Sequence, residues 1–253
     1  LMIEIAVAAG SAAVLTDEGI ALVAIDQPLH GPRGNALTDV STHTFNPFNP
    51  VSSRSMMRQA VLDNLLLLRM IQDGVFTNDN VRLDEERISF FGHSQGGLTG
   101  ALMIPQTEAI DCWLISGAGG GLTGTLLERK DPLDVAELVM TLGNANVALD
   151  AAHPLISLLQ HTFEPADPVT AAARWLLDHP SGRPQNILFT SGFRDEQTPM
   201  STAANLAMAA HLPLLAEVAE VPWRHAHERW PVADADETRD NIVLGDHRAT
   251  AGY

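Results

Sequence analysis

Two residues in this chain have the types and surroundings to move an acyl group. Ser94 lies at the centre of Gly92-His93-Ser94-Gln95-Gly96, and Asp195 lies in the later stretch Gly192-Phe193-Arg194-Asp195-Glu196-Gln197-Thr198-Pro199. A serine hydroxyl is a poor nucleophile until a histidine takes its proton and a carboxylate orients that histidine. Serine, then acid, then a terminal histidine is one chain order in which such a set occurs. Each residue also has a plainer reading: glycine and serine are common in turns, and an aspartate in a Gly/Pro loop builds turns with its own side chain. The surroundings of Ser94 favour the nucleophile.

Residues 88–91 are an apolar strand-forming run and 97–104 are compatible with a helix, so Ser94 falls at the apex of strand, sharp turn and helix. A serine there is forced into a strained backbone conformation, and the residues two before and two after it must lack a Cβ for the turn to close. Gly92 and Gly96 meet that demand. The hydroxyl is then exposed above the sheet, at the positive end of a helix where developing negative charge is stabilised.

The elements that must hold these residues alternate between helix and strand. Residues 2–15 read as an Ala-rich helix stopped at Asp17-Glu18-Gly19, and 20–25 as an apolar strand buried on both faces of a parallel sheet. The loop 26–34 follows. Residues 41–50 contain two Asn-Pro steps that resist helix, after which Ser52 or Ser53 caps a long amphipathic helix to about residue 72, with Met56, Val61, Leu65, Leu68 and Ile71 near one face. The acidic stretch 79–86 lacks the spaced ligands and glycine of a calcium loop and reads as a solvated connection. Residues 109–116 form another buried strand, ending in Gly117-Ala118-Gly119-Gly120-Gly121. Gly119, Gly121 and Gly124 satisfy a G-x-G-x-x-G spacing, but no second strand with a ribose-binding acid follows, and a flexible glycine loop beside the site accounts for them better.

Residues 122–184 hold helices and prolines without a convincing strand. Within them 134–142 and 167–177 read as helices, the second with Asp167 as cap and Pro168 at its first position. The apolar run 154–159 is suited to a greasy pocket, though subdomain core is its plainer role. The α/β pattern resumes with a strand at 186–190, a helix at 200–211 and a strand at 214–221; 222–240 is polar and irregular, and 241–253 ends on a candidate strand. The expected fold is α/β, a doubly wound and mostly parallel sheet built from 1–121 and 185–253, with 122–184 inserted as a lid or cap. The functional loops fall at the carboxyl ends of strands.

Composition narrows the partners. The formal net charge of −16, with Lys130 as the single lysine, disfavours nucleic acid or an anionic membrane as an electrostatic partner and leaves neutral lipids open. Cys112 is the single cysteine, so no intrachain disulfide is possible, and its apolar run suggests a buried core position. No apolar segment approaches the length of a membrane span. These features fit a soluble protein, with secretion or cell-envelope association of the full-length protein left open, as is its oligomeric state. The chain begins inside what reads as a helix, and a fragment is expected.

GHSQGG, the loop DQPLHGPRG after a strand, and SGFRDEQTP before a helix together resemble the α/β-hydrolase superfamily over nearly the whole chain. More narrowly, GHSQGGLTGALMI with SGAGGGLTGTLLERKDPLD is similar to bacterial serine hydrolases of the lipase, esterase and lysophospholipase type. The resemblance implies Ser94 as nucleophile, Asp195 as acid, the backbone N–H of Gln95 as one oxyanion donor, a carboxylic ester of a small molecule or lipid as substrate, and no cofactor. It makes His30 structural. Two departures follow from the same comparison. The family's other oxyanion donor precedes the first helix and is missing from this sequence, and the catalytic histidine should follow the last core strand. His247 is a candidate base within a candidate strand, but the simpler expectation puts the base beyond residue 253. His225 and His227 mimic a metal pair without further ligands, and His211 reads as a helix-end residue. The alternative is a non-catalytic binding domain derived from such a hydrolase, or an inactive truncated chain.

Overall fold

A computed structural model describes residues 11–35, 37–46, 48–77, 82–130, 134–142, 149–215, 232–233 and 239–253. The chain divides into two compact units, Leu1–Ile88 and Ser89–Tyr253.

The first unit contains the helices α1 (Ser11–Asp17), α2 (Val40–Thr44) and α3 (Pro50–Gln72). Gly19, at φ 76°, stops α1: its N–H donates to Thr16 O and that of Ile20 to Leu15 O, the paired bonds of a Schellman cap. Residues 20–25, expected as a buried strand, are irregular, and Ile20 is 51% exposed. Apolar β-branched residues favour a strand only where a neighbouring strand takes their backbone groups, and none of the described strands pairs with this run. The start of α3 also departs from expectation. Asn49, not a serine, is its cap, accepting the Ser52 N–H at 3.1 Å through its side chain, and Pro50 occupies the first helical position. The Asn-Pro step that resists helix upstream is therefore what begins one. Met56, Val61 and Leu68 are buried as the periodicity indicates, together with Met57 and Ala60, while Leu65 and Ile71 are only half-buried. His30 is buried, and its Nδ1–H donates to Pro28 O at 3.0 Å, a local bond that suits a structural role.

The second unit is built on a parallel sheet in the order β1-β2-β3-β8, with β1 at Ser89–His93, β2 at Cys112–Ser116, β3 at Ile187–Thr190 and β8 at Ala251–Gly252. Between β2 and β3 lie α5 (Leu122–Glu128), α6 (Val135–Leu142), α7 (Pro154–Phe163) and α8 (Pro168–Ala172), after α4 (Gln95–Met103) has followed β1. No described residue of 122–184 is in a strand. Helix α9 (Met200–Ala209) follows β3, and the short pairs β4 (Leu214–Leu215) with β5 (Val232–Ala233) and β6 (Ile242–Leu244) with β7 (His247–Ala249) complete the described elements. Two further backbone bonds, Leu215 N–H to Tyr253 O and Tyr253 N–H to Pro213 O, at 2.9 Å each, continue the sheet past β8 in the pattern of a parallel pair. The mixed α/β class and the parallel sheet are as expected.

Alternation, not burial on both faces, governs these strands. Trp113, Ile115, Ile187 and Phe189 are at most 2% exposed, whereas Phe91 and Leu188 keep 48% and 43% of their surface. Cys112, expected in the core, is exposed for this reason: it is the first residue of β2 and lies on the face opposite Trp113. Partial desolvation, with the Asp111 carboxylate adding to it, pushes its thiol above the usual value. Iodoacetamide should alkylate Cys112 in the native protein, with a pH midpoint above that of a free cysteine; a midpoint at or below the free value would contradict this environment.

The end of α9 repeats the Schellman cap of α1, and so does that of α3 at Gly74. At α9 the left-handed position is held by His211, at φ 57°, with its N–H bonded to Met208 O and that of Leu212 to Ala207 O. A Cβ in this region costs about 1 kcal/mol. His211→Gly is expected to raise the unfolding free energy by about 0.5–1 kcal/mol in urea titrations.

Among the described residues no helix is long and apolar enough to cross a membrane.

Candidate active site

Ser94 occupies the apex between β1 and α4 with φ 51° and ψ −116°, a conformation that L residues rarely adopt. The glycine requirement is literal at Gly92, where a Cβ would run into the backbone oxygen of Gly96. The apex is held from two sides. Ser94 N–H donates to Ser116 O at 2.9 Å, and Ser94 O accepts the Leu98 N–H at 3.0 Å as the first bond of α4. The amide of Ser94 is thus committed to Ser116. Gln95 is the first residue of α4, and amides of a first turn point out of the helix end toward any charge placed there.

The strand register fixes which residues share an edge. His93 pairs with Ser116 and Ser116 with Thr190, so β1, β2 and β3 end level, and the loops after them leave at the same carboxyl edge. Ser94 follows β1 directly, and Asp195 lies on the loop after β3, two strands or about 10 Å across the sheet. The Asp195 carboxylate accepts the N–H groups of Gln197 at 2.9 Å and Thr198 at 2.8 Å, both through Oδ1. It thus shapes the turn that leads into α9, as an ordinary loop aspartate would, while standing on the edge that carries Ser94.

The structure does not bring His247 to that edge. Ala251 pairs with Ile187, the first residue of β3, so the chain enters β8 at the amino edge, and His247 precedes that entry. It is exposed on the β6–β7 hairpin, at the end of the strands opposite Ser94. His211 is committed to the α9 cap. His225 and His227 lie outside the described residues. Among the described residues no group of three or more His, Cys, Asp or Glu is arranged to hold a metal ion.

The glycine loop is pinned rather than flexible. Gly117 N–H bonds Thr190 O at 2.8 Å, Gly120 N–H bonds Thr202 O at 2.9 Å, and the N–H groups of Gly121 and Leu122 bond the two Asp167 oxygens at 2.9 and 2.8 Å. Asp167, fully buried, also accepts Val169 N–H at 3.1 Å and Gln160 Nε2 at 2.9 Å. One carboxylate therefore caps both α5 and α8. The sequence marks only the second cap, because the first is made across 45 residues. Beyond Asp167, the segment is locked to α4: Trp175, with no exposed surface, donates its Nε1–H to Ala101 O at 2.9 Å, and His179 Nε2–H donates to Ile104 O at 3.1 Å. α8 therefore ends at Ala172, short of the expected 177, and the turns after it belong to the core. In the 154–159 run, Ile156 and Leu159 are buried. Ile156 also lines an open cleft of about 400 Å³, shared with Thr123, Leu127, Gln160 and His161.

No family model matches the chain, and no curated protein is similar to it.

Proposed function

We propose that the protein is a serine hydrolase of carboxylic esters that works through an acyl-enzyme on Ser94. The observation that carries this reading is the backbone of Ser94: a non-glycine residue held at φ 51° between a parallel strand and a helix is strained, and strain of this kind is retained where a hydroxyl must be presented. In this reading the Ser94 Oγ attacks the ester carbonyl and the Gln95 N–H helps hold the oxyanion. Asp195 orients a histidine that takes the serine proton, gives it to the departing alcohol and then activates water. The base follows β8, since a strand parallel to β3 delivers whatever follows it to the edge that carries Ser94.

The doubly wound α/β-hydrolase architecture, with 122–184 as a cap, belongs to the same proposal. Trp175 and His179 anchor the end of that segment to the core.

A fluorophosphonate probe tests the reading. The full-length protein should be labelled at Ser94 and the Ser94→Ala variant should not. An unlabelled full-length protein would leave the non-catalytic domain as the better account.

A further inference from the structure

We propose that Ser116 is a positioning residue for the nucleophile, acting through both its carbonyl and its hydroxyl; this rests on the reading of Ser94 given above. A strained turn persists only when its surroundings over-determine it. Ser116, the last residue of β2, supplies two of the restraints. Its carbonyl accepts the Ser94 N–H at 2.9 Å, and its Oγ lies 3.2 Å from Nδ1 of His93, the residue immediately before the nucleophile. The backbone bond holds the apex, and the side-chain bond holds the ring that precedes it.

The residue after Ser116 completes the seat. Gly117 has φ 58°, and a Cβ there would stand 3.1 Å from His93 Cε1, so the imidazole rests against a bare Cα. Gly117 N–H in turn bonds Thr190 O at 2.8 Å, the end of the strand that leads to Asp195. The exit of β2 therefore touches the elbow on one side and the acid-bearing strand on the other. Without the hydroxyl the exposed His93 ring loses its bond, and the apex keeps only its backbone contacts.

The test uses the full-length protein and the second-order rate of fluorophosphonate labelling. Ser116→Ala should label about tenfold more slowly, because misplacing a nucleophile by a fraction of an ångström costs rate even when the fold is intact. Ser116→Thr, which keeps the hydroxyl, should restore most of that rate. His93→Ala breaks the same bond from the other side, and the double variant His93→Ala/Ser116→Ala should label no more slowly than the slower single one. A second readout is independent of activity: in imidazole ¹H–¹⁵N spectra the His93 Nδ1 resonance should shift in Ser116→Ala, which removes the partner of that nitrogen. Labelling of Ser116→Ala at the wild-type rate, additive losses in the double variant, or unchanged His93 resonances would each overturn the role of Ser116 and leave Ser94 as the nucleophile. Absence of labelling in the wild type would remove both.

Discussion

Ser94→Gly is expected to abolish ester hydrolysis and at the same time to make the protein more stable. Loss of the hydroxyl removes the attacking atom, and hydrolysis should fall by about 10⁴-fold or more in the full-length protein. The stability change has a separate origin. With φ 51° and ψ −116°, Ser94 holds a conformation whose strain is worth about 1–3 kcal/mol for a residue with a Cβ. Glycine adopts it freely, but its unfolded chain has more freedom to lose, which offsets about 0.5–1 kcal/mol. The net gain should be about 1 kcal/mol. Ser94→Ala is the control, equally inactive but still strained, so its unfolding free energy should stay near that of the wild type. Equal stability of the glycine and alanine variants would show that the apex stores no strain, and the argument from backbone to nucleophile would fail.

Asp167→Ala is expected to cost about 3–5 kcal/mol, enough to unfold a marginal domain. The side chain is fully buried and accepts four hydrogen bonds, from Gly121, Leu122, Val169 and Gln160. Its removal leaves four donors without an acceptor in a place that water does not reach, including the leading amides of two helices. Asp167→Asn is the informative companion. An amide can still accept two of these bonds, but it turns a second donor toward the other two. It should therefore lose a large part of the same energy at nearly constant volume. Urea unfolding monitored by circular dichroism, with the slope unchanged, would measure both. A cost below about 1 kcal/mol for Asp167→Ala would mean that the double cap is not made in solution.

The two residues differ in how visible they are in the sequence. Ser94 was legible because everything that strains it lies within a few positions: the glycines, the strand before and the helix after. Asp195 was legible as a loop residue at the right end of a strand, since loop placement follows from the alternation of elements. Asp167 was only half legible, because the Asp-Pro step announces a local cap and nothing local announces the glycine loop it also holds. The same limit explains Cys112 and the 20–25 run. Hydrophobicity suggests burial or a strand, but which face is covered, and whether a partner strand exists, is decided by residues far away. His247 shows the limit most clearly. Its suitability depended on the edge at which the chain enters β8, and only the pairing of Ala251 with Ile187 fixes that.

The position of β8 has a consequence for the order of folding. This strand is gripped on both sides, by β3 through the Ile187–Ala251 pairing and by the backbone of Pro213 and Leu215 through Tyr253, whose ring also stacks on Phe189 at 4.9 Å. An interior strand drawn from residues 251–253 must be threaded in after both neighbours have been synthesised. Its ladder joins Ala251 to the distant Ile187, a closure that local structure cannot accelerate. On the ribosome, β1, β2 and β3 with their helices can collapse early, while the slot beside β3 waits with an unpaired edge. Fusing residue 253 to a stalling sequence through linkers of increasing length should show protease resistance arriving abruptly, once the linker lets β8 clear the exit tunnel.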